Sequence, residues 1–145
     1  MIYTAKGDVF SSGATLIAHG CNTRGAFGAG VALAVARKYP SARNHYMAKH
    51  KGEGWQLGDV QFVVCKDTTI ANCATQRTYS PVGRCHVNYD AVRECMEKVK
   101  KYAIQFELTV AIPKIGAGLA GGDWGIIKKI LKEVFVNHDC TVYYL

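Results

Sequence analysis

Val110-Ala111-Ile112-Pro113-Lys114-Ile115 runs straight into Gly116-Ala117-Gly118-Leu119-Ala120-Gly121-Gly122, and Asp123 then opens an amphipathic stretch. A short apolar run bounded by turn residues reads as a buried strand. Apolar residues at Ile127, Ile130, Leu131 and Val134 recur at helical spacing, with Asp123 placed as an N-cap. The stretch is therefore strand, glycine-rich turn, helix. The same plan occurs earlier, where the apolar run 14–18 leads to Gly25-Ala26-Phe27-Gly28-Ala29-Gly30 and a helix over 31–39. Glycine lets backbone turn sharply and approach a ligand closely, and the N-terminus of a following helix attracts phosphate. One such loop could be no more than a tight turn. Two in a chain of this size point to a ligand with two phosphates, or a phosphate and a sugar, held from both sides.

Working outward, residues 2–5 read as a first strand and 15–19 as a second. Pro40 is expected to end the first helix, and Ser41 to cap another running to about Lys51. Residues 60–65 and 69–73 are apolar strands around a Lys66-Asp67 turn. Residues 74–87 read as a long surface loop, and long loops in compact domains are often functional. Asn88 caps a helix in which Val92, Cys95, Val99, Tyr102 and Phe106 share a face. Strands follow at 108–112 and 141–145. Alternating strands and helices predict an α/β protein with a mixed, mostly parallel sheet, and ligands in such folds bind at the carboxyl ends of the strands.

The chain has 145 residues, and we expect a single domain over 1–145. At 49% hydrophobic and 20% charged it falls among globular rather than disordered sequences. No apolar run is long enough for a membrane span and no secretory signal is visible, so a cytoplasmic monomer without membrane contact is expected. The six cysteines include no C-x-x-C pair and no zinc-ligand spacing, and read as reduced thiols. No metal or cofactor is implied. The net charge of +7 raises nucleic acid as a partner. The lysines fall in helix runs (Lys98, Lys100 and Lys101; Lys128, Lys129 and Lys132), which read as solvated faces within a modest anion-attracting field.

The second loop contains G-x-G-x-x-G at Gly116, Gly118 and Gly121. A dinucleotide fingerprint would need an acidic strand end about 20 residues further on and more βα units. Only one helix and one strand are expected after this loop, so that reading is set aside. A Walker A loop needs G-x-x-x-x-G-K-[ST], which neither loop has.

The residues resemble another family. Leu16-Ile17-Ala18-His19-Gly20-Cys21-Asn22 followed by Gly25-Ala26-Phe27-Gly28-Ala29-Gly30-Val31-Ala32 resembles the first ligand loop of macrodomains. The stretch from Ile112 to Trp124 resembles their second loop, and Gly7-Asp8-Val9 their early signature. Order and spacing agree over nearly the whole chain. The resemblance implies a three-layer α/β/α sandwich and an ADP-ribose site. By it, Asp8 accepts from the adenine amino group, Val9 offers backbone contact and Asn22 holds the distal ribose. Gly28, Ala29, Gly30 and Val31 wrap the diphosphate and distal ribose, with Gly116, Ala117, Gly118, Leu119 and Ala120 clamping from the other side. Taken alone, Asp8 reads equally as a turn aspartate and Asn22 as a loop cap. Trp124 reads as a core anchor.

Many macrodomains that remove ADP-ribose from proteins have asparagine where His19 stands. The chain is more similar to the divergent branch of ADP-ribose 1''-phosphate phosphatases and lysine-dependent glutamate-ADP-ribose hydrolases. The lysine of the latter matches Gln76 or Arg77 here, and their partner aspartate matches Ala120, so that mechanism is not expected. The resemblance favours hydrolysis of ADP-ribose 1''-phosphate without a metal. His19 would be the proton carrier, with an unperturbed pKa near ~6.5, and Asp123 would orient water or the imidazole. As bland readings, His19 is a strand histidine satisfied by a carbonyl and Asp123 only a helix cap. His86 is a weaker alternative acid, and His45, His50 and His138 read as surface residues. An ADP-ribose reader without turnover, or a hydrolase acting on ADP-ribosylated protein or nucleic acid, stays open.

Overall fold

The computed structural model describes residues 1–78, 87–115 and 122–145. Among these residues six strands, β1 (Ile2–Lys6), β2 (Leu16–Asn22), β3 (Val60–Cys65), β4 (Thr68–Gln76), β5 (Val110–Pro113) and β6 (Cys140–Tyr144), form one sheet in the order β1-β6-β5-β2-β4-β3. Every neighbouring pair is parallel except β3 with β4, which are joined by the Lys66-Asp67 turn. Among the described residues four helices cover the sheet: α1 (Gly30–Lys38), α2 (Pro40–Lys51), α3 (Tyr89–Phe106) and α4 (Trp124–Val134).

The period of two along the central strands decides which helices go where. Leu16 and Ala18 of β2, Ala71 and Cys73 of β4, and Val110 and Ile112 of β5 pack with α3 and α4. The intervening Ile17 and Cys21, Ile70 and Ala74, and Ala111 pack with α1 and α2. Because side chains alternate faces, a strand that is apolar at every position must be covered on both sides. Two cores against one sheet give the expected three layers.

Several boundaries differ from expectation, each for a local reason. Pro40 begins α2 rather than merely ending α1, since a first-turn proline loses no hydrogen bond. Ser41 therefore lies inside the first turn, and Tyr39 occupies the cap position without a side-chain bond. Strand β2 continues to Asn22 because it keeps pairing with β4 as far as Gln76. Strand β4 likewise extends three residues into the stretch read as loop, while 79–86 lie outside the described residues. Asn88 caps α3 by accepting from the Ala91 N–H at 2.9 Å, and Asp123 caps α4 by accepting from Gly125 N–H at 2.8 Å, both as expected. Trp124 packs half-buried against the α3–α4 core, with Lys114 Nζ 5.4 Å from its ring centre. Among the described residues no helix is long and apolar enough to cross a membrane.

The parallel strands all send their carboxyl ends to one edge of the sheet. Gly7-Asp8 follows β1, Thr23 to Ala29 follows β2, Arg77 follows β4 and Lys114-Ile115 follows β5. The first glycine loop lies at that edge, and β5 leads there to Ile115, after which residues 116–121 lie outside the described residues.

Candidate functional site

The first loop is built around Asn22. Its side-chain oxygen accepts from the N–H groups of Arg24 (3.0 Å) and Ala26 (3.2 Å) and from the Tyr46 hydroxyl (3.0 Å), and its amide nitrogen donates to Ala26 O (2.8 Å). The buried Tyr46 also donates to Asn22 O at 2.7 Å and accepts from Gly25 N–H at 3.1 Å. Asn22 is thus a keystone that folds residues 22–26 into a closed turn, with its oxygen fully engaged by protein. Gly25 has φ +82°, and the His50 ring lies where a Cβ would project, so a side chain there would be strained and crowded.

Phe27 pins the next part of the loop. It is buried edge-on to His19 with ring centres 5.4 Å apart, and 4.8 Å from Tyr46. Gly28, Ala29, Gly30 and Val31 then stay exposed on the rim. Ala29 starts α1 without a side-chain cap, leaving the first-turn N–H groups for an anion. The amphipathic break was legible in sequence. The aromatic inside a Gly/Ala-rich loop was the overlooked signal for an anchor.

At the far end of the carboxyl edge, Asp8 is exposed and accepts from Phe10 N–H at 2.9 Å, while Val9 is buried at the start of a single 3-10 turn. This turn-aspartate geometry fixes the carboxylate at the edge. Gly116, Ala117, Gly118, Leu119 and Ala120, and His86, lie outside the described residues. Entry to the second loop is marked by Ile115, which is buried. Thr75, another residue not singled out by sequence, is wholly buried beside it, and its hydroxyl has no hydrogen-bond partner among the described residues. A Cβ on Gly20 would come within 2.8 Å of that hydroxyl and 3.3 Å of Ile115, so β2 needs glycine there for close approach.

His19 stands in the interior of β2 rather than at its end, wholly buried. Its Nε2 lies 2.6 Å from Asn72 Oδ1. Asn72 donates its amide hydrogens to Ala42 O and Gln61 Oε1, both at 3.1 Å, so its oxygen must accept and His19 carries its proton on Nε2. Burial pulls the imidazole pKa down to about 4, only partly opposed by the Asn72 bond. The ring is neutral at physiological pH.

The structure does not bring the two catalytic candidates together. His19 projects with Ile17 and Cys21 toward α1 and α2, whereas Asp123 caps α4 on the opposite face of the sheet. Asp123 is exposed, and its backbone N–H donates to the Tyr89 hydroxyl at 3.0 Å. Among the three remaining histidines considered, His45 is exposed, while His50 and His138 are half-buried.

Loops gathered at the carboxyl edge of a mostly parallel sheet, one of them rimmed by uncapped helix N–H groups, define an α/β protein suited to an elongated anion. The chain belongs to the macrodomain family: the Macro domain model matches residues 18–131. It is 26% identical to an ADP-ribose 1''-phosphate phosphatase of Candida albicans, covering 99% of both chains. A solved structure of a protein of unknown function from Bacteroides thetaiotaomicron is 34% identical, with a TM-score of 0.91, and covers 100% of this chain and 98% of that one. A macrodomain protein from Streptomyces coelicolor is 31% identical, with a TM-score of 0.84 and coverage of 100% and 99%.

Proposed function

We propose that this chain, as one domain, binds ADP-ribose along the carboxyl edge of its sheet and hydrolyses ADP-ribose 1''-phosphate to ADP-ribose and phosphate. The observation that carries this reading is the order of residues along that edge. Asp8 follows β1, Ile115 follows β5 and leads in sequence to the second glycine loop, and Asn22 ends β2 ahead of the first loop. From β1 to β4 there are four strand spacings, about 19 Å at about 4.8 Å each. Adenine at Asp8, diphosphate between the loops and distal ribose over β2 and β4 would lie in that sequence. The name of the Candida albicans relative supports the phosphatase activity.

In the reaction, water attacks phosphorus, the P–O bond to C1'' breaks, and the leaving oxygen takes up a proton. Backbone N–H groups from the start of α1 would hold the phosphate charge without a cationic side chain. Asp123, an exposed carboxylate beside the second loop, is the group we assign to orient and deprotonate the water. His19 serves as a positioning residue: a buried neutral imidazole, with its one proton on Nε2, braces Phe27 and hence the loop, and takes up no second proton at pH 7.

Phosphate release from ADP-ribose 1''-phosphate tests the activity, and calorimetric titration of ADP-ribose tests the binding. Asparagine keeps an N-cap acceptor but is a poor base. Asp123→Asn is therefore expected to retain ADP-ribose affinity while losing about 100-fold or more in kcat. Unchanged kcat would remove Asp123 from the chemistry. Asp123→Ala should in addition cost about 1 kcal/mol of stability in a urea titration, from the lost cap. The burial of His19 favours a second reading, a reader that binds ADP-ribose without turnover. Tight binding with no phosphate release would establish it.

A further inference from the structure

Two arginines, Arg24 and Arg77, follow the carboxyl ends of β2 and β4. Past the ends of β2 and β4 the chains remain paired, since Thr23 N–H donates to Gln76 O at 3.1 Å and the Thr23 hydroxyl to Arg77 O at 3.4 Å. Arg24 and Arg77 therefore leave neighbouring backbones, about one strand spacing apart. Both are exposed, and neither has a carboxylate within ion-pair distance among the described residues. Lys49, Arg93, Lys98 and Lys100 do find such partners elsewhere.

The root of Arg24 is fixed, because its N–H donates to Asn22 Oδ1. The half-buried His50 ring lies against Gly25, next in the chain, so the nearest ring on that side brings no negative charge. Two guanidiniums rooted on neighbouring backbones, without a carboxylate partner among the described residues, add their mutual repulsion to a protein already at +7. An anion between them relieves that repulsion, and each planar fork matches two oxygens of a phosphate.

We propose that Arg24 and Arg77 form a clamp for the phosphomonoester on C1'', and so distinguish ADP-ribose 1''-phosphate from ADP-ribose. The clamp rests on the ligand orientation argued above, which sets the distal ribose over β2 and β4. It needs no covalent step. It selects substrate by adding charge-assisted bonds that the product ADP-ribose lacks, which also favours product release.

The test is rapid-mixing displacement of a fluorescent ADP-ribose derivative, with ADP-ribose and ADP-ribose 1''-phosphate as competitors. The proteins are wild type, Arg24→Gln, Arg77→Gln, the double variant, and Lys101→Gln as a charge control remote from the cleft. Wild type is expected to bind the phosphorylated form about tenfold more tightly. Each single variant should lose about threefold of that preference and the double variant nearly all of it, with ADP-ribose affinity held within about twofold. Lys101→Gln should keep the preference, and added salt should shrink it in wild type. A double variant that retains the preference, or that weakens both ligands alike, overturns the clamp. So does a wild type that binds both ligands equally. Failure of wild type to bind ADP-ribose at all would instead overturn the underlying ligand reading. Loss in the double variant of binding to a single-stranded oligonucleotide, with the preference for the 1''-phosphate intact, would assign the arginines to nucleic acid and overturn the clamp.

Discussion

Asn22→Ala is expected to weaken ADP-ribose binding by at least about tenfold and to lower stability by about 2–4 kcal/mol. The side chain makes four hydrogen bonds, three of them to backbone groups of Arg24 and Ala26, and leaves the Tyr46 bridge between Asn22 O and Gly25 N–H as the other tie across the turn. Alanine would leave Tyr46, wholly buried, with one acceptor fewer. It would also free the loop that presents Gly28 to Val31, so binding would have to reorder it. Calorimetry with ADP-ribose and urea denaturation measure the two effects. Asn22→Asp separates them: it keeps the acceptor oxygen for the turn but places a negative charge beside a diphosphate. Stability should then recover only in part, because a carboxylate cannot donate to Ala26 O, while affinity should not recover at all. Full affinity in Asn22→Ala would mean that the turn is not what shapes the site.

The second large effect follows pH. The folded His19 imidazole titrates at about 4, against 6.5 when exposed, because burial disfavours its charged form. Between those values the unfolded chain binds a proton that the folded protein refuses. Stability from this group is therefore fully present above 6.5 and is lost as pH falls toward 4. From pH 7 to pH 5 the loss amounts to about 2 kcal/mol. Urea midpoints at the two pH values, compared with His19→Gln, measure it. The amide cannot take up the proton, so the variant should show a shallower pH dependence even if it is less stable throughout. Equal slopes for the two proteins would show that His19 is not the group responsible.

Much of the site was legible before folding was considered. The strand–glycine–helix plan at 110–123 and again at 14–39 fixed the α/β alternation, because apolar period and glycine punctuation are local properties of the chain. Asp123 and Asn88 announced themselves as caps for the same reason: the bond spans only two or three residues. Asp8 was equally readable as a turn aspartate, and it is one. The boundaries of β2 and β4 were not, since each extends only as far as its neighbour continues to pair. Phe27, Tyr46, Asn72 and Thr75 also escaped notice, because their partners lie on other elements.

His19 illustrates the division most clearly. Its place in the first macrodomain-like loop motif is plain in the sequence, and the resemblance implies a proton carrier there. Whether an imidazole carries a proton depends on its dielectric surroundings and on which face of a strand it occupies. The pairing of β2 in the middle of the sheet sends His19 under Phe27 and against Asn72, and Asp123 to the opposite side. The sequence by itself determined the family, the alternation of elements and the positions of the glycine-rich loops, all encoded within short spans of chain. Burial, partnership and the order of residues along the carboxyl edge were decided only by tertiary structure, because they depend on which distant segments the sheet makes neighbours.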